Sequence, residues 1–260
     1  MITSTSSSQV KHVVQLQKKS KTRKEFLEFV VEGNKMVAEA PKDRVVKVYV
    51  SENFNNMNPD YIRVLNIEDK KIEIVSDSVF MQMSDTKTPQ GVMAIVKMAQ
   101  YEVNDILGEN ALIIAVENLQ DPGNLGTILR MGEGAGITGV IMSSNTVDIY
   151  NPKTIRSTMG SIYRVPFFYA KDFNEELEQL KENGVKIYAA HLDGKNTYTQ
   201  ESYKNATAFL IGNEGNGLTD SVTKKADTLI KIPMQGQVES LNAAIACTIL
   251  TYEAVRQRTV

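Results

Sequence analysis

The chain has 260 residues, 42% of them apolar and 23% charged, with a formal net charge of −2. That is room for one large domain or two ordinary ones with the composition of a soluble globular protein, and the near-neutral balance excludes a global basic field of the kind that coats nucleic acid. A single cysteine (Cys247) and two histidines (His12 and His191) exclude an intrachain disulfide and a histidine–cysteine metal cluster.

A reducing, cytoplasmic compartment is therefore expected. No apolar h-region opens the chain and no run approaches the ~18 apolar residues of a membrane span, so neither a secretory signal nor a membrane segment is expected.

In chain order, residues 1–8 are rich in Ser and Thr, and residues 1–24 hold Lys11, Lys18, Lys19, Lys21, Arg23 and Lys24 but no acid. Residues 10–26 read as one helix. Residues 29–33 read as a short buried strand closed by Gly33, 34–40 as a helix stopped by Pro41, and 45–51, 71–75 and 91–98 as further strands. This α/β pattern sets a first domain at 1–98. Residues 99–110 are polar and charged and read as a linker.

A second domain, 111–260, opens on the wholly apolar strand 111–116. Asp121-Pro122-Gly123 reads as a turn. A helix over 124–134 and a strand over 139–143 follow, then a helix carrying Phe173, Leu177 and Leu180 that ends at Asn183-Gly184. Strands at 185–190 and 208–211 complete a mostly parallel sheet covered on both faces. In the last helix Ser240 is the expected N-cap, and Leu241, Ile245, Thr248, Tyr252 and Val255 form the expected buried face.

Small and amide residues crowd three loops of this second domain. They are 118–130 (with Asp121, Asn124 and Arg130), 212–217 (Gly212-Asn213-Glu214-Gly215-Asn216-Gly217) and 232–242 (with Gln235, Gly236, Gln237, Ser240 and Asn242). Open α/β sheets bind ligands outside the carboxyl ends of their strands, so the three loops suggest one composite pocket for a small polar ligand. A dinucleotide site fits badly. Gly212, Gly215 and Gly217 run GxxGxG where the fingerprint needs GxGxxG, and no GxxxxGK[ST] loop occurs.

Taken in order, the three segments resemble the three motifs of the SpoU family of RNA ribose 2′-O-methyltransferases, part of the SPOUT superfamily. Asn151-Pro152-Lys153 and Ser157-Thr158-Met159-Gly160-Ser161 resemble a family segment between the first two motifs. Phe29 to Gly33 and Thr88-Pro89-Gln90-Gly91 resemble the family's ribosomal-protein-like substrate-binding domain. The resemblance implies an α/β fold whose C-terminal methyltransferase domain holds a trefoil knot, preceded by a small α/β RNA-binding domain. It implies S-adenosylmethionine as cofactor, no metal, and a homodimer.

By matching position it implies Arg130 as catalytic residue, with Asn124, Glu214, Ser240 and Asn242 around it. Ile211, Gly212, Ile232, Met234 and Leu241 would contact the cofactor. A guanidinium is fixed as a cation, with a pKa above ~12, so Arg130 is better suited to positioning than to removing a proton. RNA would meet Lys18, Lys19, Lys21 and Arg23, with large-subunit rRNA favoured over tRNA as substrate. A non-catalytic RNA-binding homologue and a nucleotide-dependent oxidoreductase are the rival readings. Whether S-adenosylmethionine or NAD raises the melting temperature separates the oxidoreductase from the others.

Overall fold

The structure, a computed structural model, describes residues 1–259. Two compact units make up the chain: Met1–Ala99 with Asp148–Tyr163, and Gln100–Val147 with Arg164–Val260. The sequence reading placed 148–163 in the second domain and 99–110 in a linker. In the structure 148–163 joins the first unit, while Ile106, inside the expected linker, is buried in the core of the second.

The first unit begins with α1 (Ser8–Lys18), whose Val10, Val13 and Leu16 recur at helical spacing and are buried. The single helix expected over 10–26 is broken. Lys19 is extended (φ −123°, ψ 112°) and a second helix, α2 (Ser20–Phe26), follows. Arg23 satisfies the break: its guanidinium donates to the Leu16 and Gln17 carbonyls at 2.6 and 3.0 Å and so occupies acceptors that a helix end leaves orphaned.

After α2 come β1 (Glu28–Glu32), α3 (Asn34–Ala38), β2 (Val45–Ser51), α4 (Glu52–Met57) and α5 (Tyr61–Leu65), then β3 (Ile72–Val75), α6 (Asp77–Met83) and β4 (Val92–Lys97). The four strands form one sheet in the order β1-β4-β2-β3. β4 runs antiparallel to both its neighbours, and β2 and β3 run parallel. Val10, Val13 and Leu16 pack with Val79, Phe80 and Met83 of α6 over the sheet residues Met93 and Ile95.

The second unit starts with β5 (Leu112–Val116), α7 (Pro122–Ala135) and β6 (Gly139–Met142). Asp121-Pro122-Gly123 is not a free turn. Asp121 is the N-cap of α7, accepting from the Asn124 N–H at 2.8 Å, and Pro122 occupies the first turn, where its missing N–H leaves no bond unmade.

The chain then returns to the first unit for 148–163, carrying α8 (Pro152–Thr158). There the Tyr150 ring lies 4.7 Å from Phe29, the Tyr163 hydroxyl donates to the Met36 carbonyl at 2.8 Å, and Arg156 donates to Asp85 at 2.7 Å.

β7 (Phe167–Tyr169), α9 (Phe173–Glu182), β8 (Lys186–Ala190), β9 (Asn196–Thr197), β10 (Thr207–Ile211), α10 (Asp220–Thr223), β11 (Thr228–Lys231) and α11 (Ala243–Arg258) complete the second unit. Its seven strands are all parallel, in the order β7-β6-β5-β10-β8-β11-β9. β5 and β10, buried at every residue, sit side by side at the centre, as continuous apolar runs in a covered sheet require.

The last helix differs from its sequence reading in cap and in face. Asn242 is the N-cap: its side-chain oxygen accepts from the Ala244 and Ile245 N–H groups at 2.9 and 3.3 Å. Ser240 lies two residues upstream in the loop. The buried residues are Ala243, Ala244, Cys247, Leu250, Thr251, Glu253 and Ala254, whereas Ile245 and Tyr252 are 53% and 45% exposed. Small residues face inward because α11 packs against α7, and short side chains let two helix backbones approach. Burial pushes the Cys247 thiol up to about 12, so this cysteine behaves as a small core residue.

Among the described residues no helix is long and apolar enough to cross a membrane.

Candidate active site

Three carboxyl-end loops of the second unit meet at one place. The loop after β10 is pinned at its mouth by a pair of backbone bonds, Asn213 N–H to the Gly217 carbonyl and Gly217 N–H to the Asn213 carbonyl, at 3.0 and 2.9 Å. Inside it, the Asn213 side-chain oxygen accepts from the Gly215 and Asn216 N–H groups at 2.9 and 3.0 Å. Its side-chain nitrogen donates to the Asn118 carbonyl at 2.8 Å, fastening this loop to the one after β5. Asn118 itself has φ +54°, a left-handed conformation that Asn tolerates better than most residues. At the loop's exit, the buried Glu117 carboxylate accepts from the Thr219 N–H and hydroxyl at 2.8 and 2.7 Å.

Gly212 has no alternative at this position. A Cβ there would fall 2.6 Å from the Gly217 carbonyl oxygen, and closer still to the Gly217 carbonyl carbon and the Leu218 nitrogen. Those atoms are backbone, so nothing can rotate aside. Gly212→Ala is expected to destabilise the protein by roughly 1–3 kcal/mol, in the range of overpacked cores. Gly215→Ala, whose added Cβ would meet only the Asn213 side chain at 3.6 Å, should stay within about 0.5 kcal/mol. Urea melts of the two variants test this, and equal stabilities would remove the steric argument.

A chain of side-chain hydrogen bonds crosses all three loops. The Asn124 amide donates to Glu214 at 2.9 Å, and its oxygen accepts from the Asn242 side chain at 2.9 Å. Glu214 also accepts from the Gln120 and Asp121 N–H groups, both at 3.2 Å. Burial raises the Glu214 carboxyl, but the Asn124 amide and the backbone N–H groups outweigh it and hold it below its ordinary value. Glu214 is therefore ionised at neutral pH. The hydrogen bonds it accepts are complete above the ordinary carboxylate range and are lost as pH falls through the lowered pKa.

Beside this network, at the carboxyl ends of β8, β10 and β11, lies a cleft of ≈ 710 Å³. Ile211, Gly212, Glu214, Ile232, Met234, Ser240 and Leu241 all line it. Asn124 and Asn242 do not, but they reach Glu214 through the hydrogen bonds above. Arg130 does not line it either. It is exposed on α7, in line with Asn124 and Thr127 at three-residue steps, and its side chain makes no hydrogen bond or ion pair among the described residues.

The sequence reading missed His191, Leu192, Asp193 and Glu239, which also line the cleft. The signal for the first three was available, since they directly follow strand β8 at the same sheet edge. Among the described residues no group of His, Cys, Asp and Glu side chains is placed to hold a metal ion.

In the first unit, Lys18, Lys19 and Lys21 are exposed, but Arg23 is not available to RNA. It is 3% exposed, bonded to the α1 carbonyls, and paired through its Nε and NH2 with Asp148 at 3.0 and 2.5 Å. Its place in the expected RNA-contacting set is corrected: it is a structural cation.

The SpoU rRNA methylase family model matches residues 111–252, and a model of the MRM3-like substrate binding domain matches residues 7–94. The 23S rRNA (guanosine(2553)-2′-O)-methyltransferase RlmP of Bacillus subtilis (strain 168) is 31% identical over 239 residues, which is 90% of this chain and 92% of that protein. The crystal structure of the SpoU methyltransferase AviRb from Streptomyces viridochromogenes with the cofactor AdoMet is 25% identical, with a TM-score of 0.88 over 97% of this chain and 98% of that one. An AdoMet-bound rRNA methyltransferase from Sinorhizobium meliloti is 30% identical, with a TM-score of 0.86 over 98% of this chain and 97% of that one. An α/β fold with a parallel sheet, three Asn/Gly-rich loops converging on one cleft, and a match spanning the methylase model place this chain in the SpoU rRNA methylase family.

Proposed function

We propose that the chain is an S-adenosylmethionine-dependent RNA methyltransferase that acts on a ribose 2′-hydroxyl of large-subunit rRNA in the cytoplasm. The observation that carries this reading is the hydrogen-bonded chain Glu214–Asn124–Asn242, which ties three separate loops into one edge of the cleft. The cleft residues fit the cofactor. Ile211, Ile232, Met234 and Leu241 supply apolar wall for an adenine, the glycine-rich loop after β10 supplies backbone, and Asp193, Glu214 and Glu239 supply negative charge for a cationic ligand.

When bound, S-adenosylmethionine supplies an electrophilic methyl group. The chain's own residues hold the acceptor. Arg130, with no internal partner, is free to bind an RNA phosphate through its planar fork and orient the ribose hydroxyl, while Ser240 lies at the cleft, free of helix capping. In this reading the loops after β10 and β11 form the family's trefoil knot.

The exposed α11 face carrying Ile245 and Tyr252 is the homodimer surface in this proposal. The Tyr252 hydroxyl sits beside Gly134 of α7, one helical turn from Arg130, so a partner seated there comes close to the catalytic side chain. Sedimentation should give a dimer for the natural chain and a monomer for Ile245→Asp/Tyr252→Asp. A monomeric natural chain would refute the surface.

The function itself is tested by transfer of labelled methyl from S-adenosylmethionine to total unmodified RNA, separated afterwards into rRNA and tRNA. Label is expected in rRNA, and the position named for the Bacillus relative is the first to map. Label confined to tRNA would overturn the substrate, and no label with no cofactor binding would overturn the reading.

A further inference from the structure

At the end of α2, Phe26 exposes 52% of its surface, and Leu27 beside it exposes 46%. This is not a loose helix end. Leu27 is held left-handed at φ 53°, a conformation unfavourable for a residue with a Cβ, and its carbonyl accepts from the Met98 N–H at 2.8 Å. The Phe26 ring is propped edge-on by His12, centroids 4.8 Å apart at 74°, and His12 is itself fixed by Glu28 at 2.9 Å. A large apolar ring is thus pre-positioned and left half in water.

Its surroundings are cationic. Lys11, Gln15 and Lys18 recur at steps of four and three along the exposed side of α1, Lys19 stands at the break, and Lys21 and Lys24 step along α2. None of the five lysines has a side-chain hydrogen bond or ion pair among the described residues. Within residues 1–28 the acids are Glu25, exposed, and Glu28, engaged by His12.

Unpaired cations on the two helices that bear a fixed ring suit a nucleotide whose phosphate is neutralised and whose base is free to stack. A base inside a duplex is already stacked and offers no free face. We propose that Phe26 is a base-stacking platform and that the RNA held by the α1–α2 lysines presents an unpaired nucleotide, in a loop or bulge, at this point. The inference rests on the RNA-methyltransferase reading above and specifies the substrate that the first unit selects.

The probe is a stem-loop RNA with 2-aminopurine in its loop, compared with a fully paired duplex of equal length, using the full chain and the variants Phe26→Ala, Phe26→Leu and Phe26→Tyr. The natural chain and Phe26→Tyr should quench the loop fluorescence. Phe26→Ala and Phe26→Leu should lose the quenching and bind the stem-loop about tenfold more weakly. Their salt dependence should not change, because no phosphate contact is removed, and neither should duplex affinity. Replacing Lys18, Lys19 and Lys21 should instead flatten the salt dependence. Natural-like quenching and affinity in Phe26→Ala would overturn the stacking platform alone. No binding of either RNA by the natural chain would overturn the RNA reading of the first unit and the platform with it.

Discussion

Arg130→Ala should slow methyl transfer by roughly 10²–10³-fold, the loss typical when one positioned electrostatic group is removed from an active site. Stability should barely move. Arg130 is exposed and has no internal partner, and substitutions of that kind stay within about 0.5 kcal/mol. This combination distinguishes a residue kept for its substrate from one kept for its fold. Arg130→Lys should recover little, because a point charge cannot reproduce a two-pronged grip on phosphate. Single-turnover rates with saturating cofactor, read beside thermal melts of the same preparations, provide the check. Near-normal turnover in Arg130→Lys would end the positioning role.

Arg23→Ala should do the reverse, destabilising the protein by about 3–5 kcal/mol, the usual consequence of removing one partner of a buried ion pair. The loss has two parts. The Asp148 carboxylate, 20% exposed, is left without its cation, and the Leu16 and Gln17 carbonyls lose their donor. Asp148→Asn should cost less because those carbonyl bonds survive. The double variant should fall short of the sum of the singles, as expected for residues in direct contact. Urea unfolding of all four proteins measures this, and additive losses would mean that Arg23 and Asp148 are not coupled.

Arg23 and Arg130 show what sequence reading can and cannot reach. Both are arginines, and both were expected at RNA. The α1 carbonyls and Asp148, 125 residues away, make one of them internal. The central strands β5 and β10 were legible because all of their residues but Thr207 are apolar, and such runs have few other uses. The short β7 and β9, of three residues and two, carry too little pattern to be read.

The cap and face of α11 were misread for linked reasons. Ser240 and Asn242 are both good caps two residues apart, so local chemistry does not choose between them. Hydropathy favours Ile245 and Tyr252 over the alanines, whereas packing against α7 favours small residues. Of the site, the motif residues were visible as loop composition. The Glu214–Asn124–Asn242 chain was not, because it joins positions that only the fold brings together.

The passage of 148–163 through the first unit bears on how such proteins can exchange parts. The chain crosses between its units after residues 99, 147 and 163, so neither unit is one uninterrupted length of sequence. A fragment ending at residue 99 would lack the carboxylate that Arg23 binds and the ring that stands against Phe29. A fragment beginning at residue 100 would carry α8 with nothing of β1 to rest on. A graft that swaps in a different RNA-binding head must therefore bring two separate stretches of gene, one of them embedded within the methylase region. A simple fusion at residue 99 is expected to give an insoluble or unstable chimera.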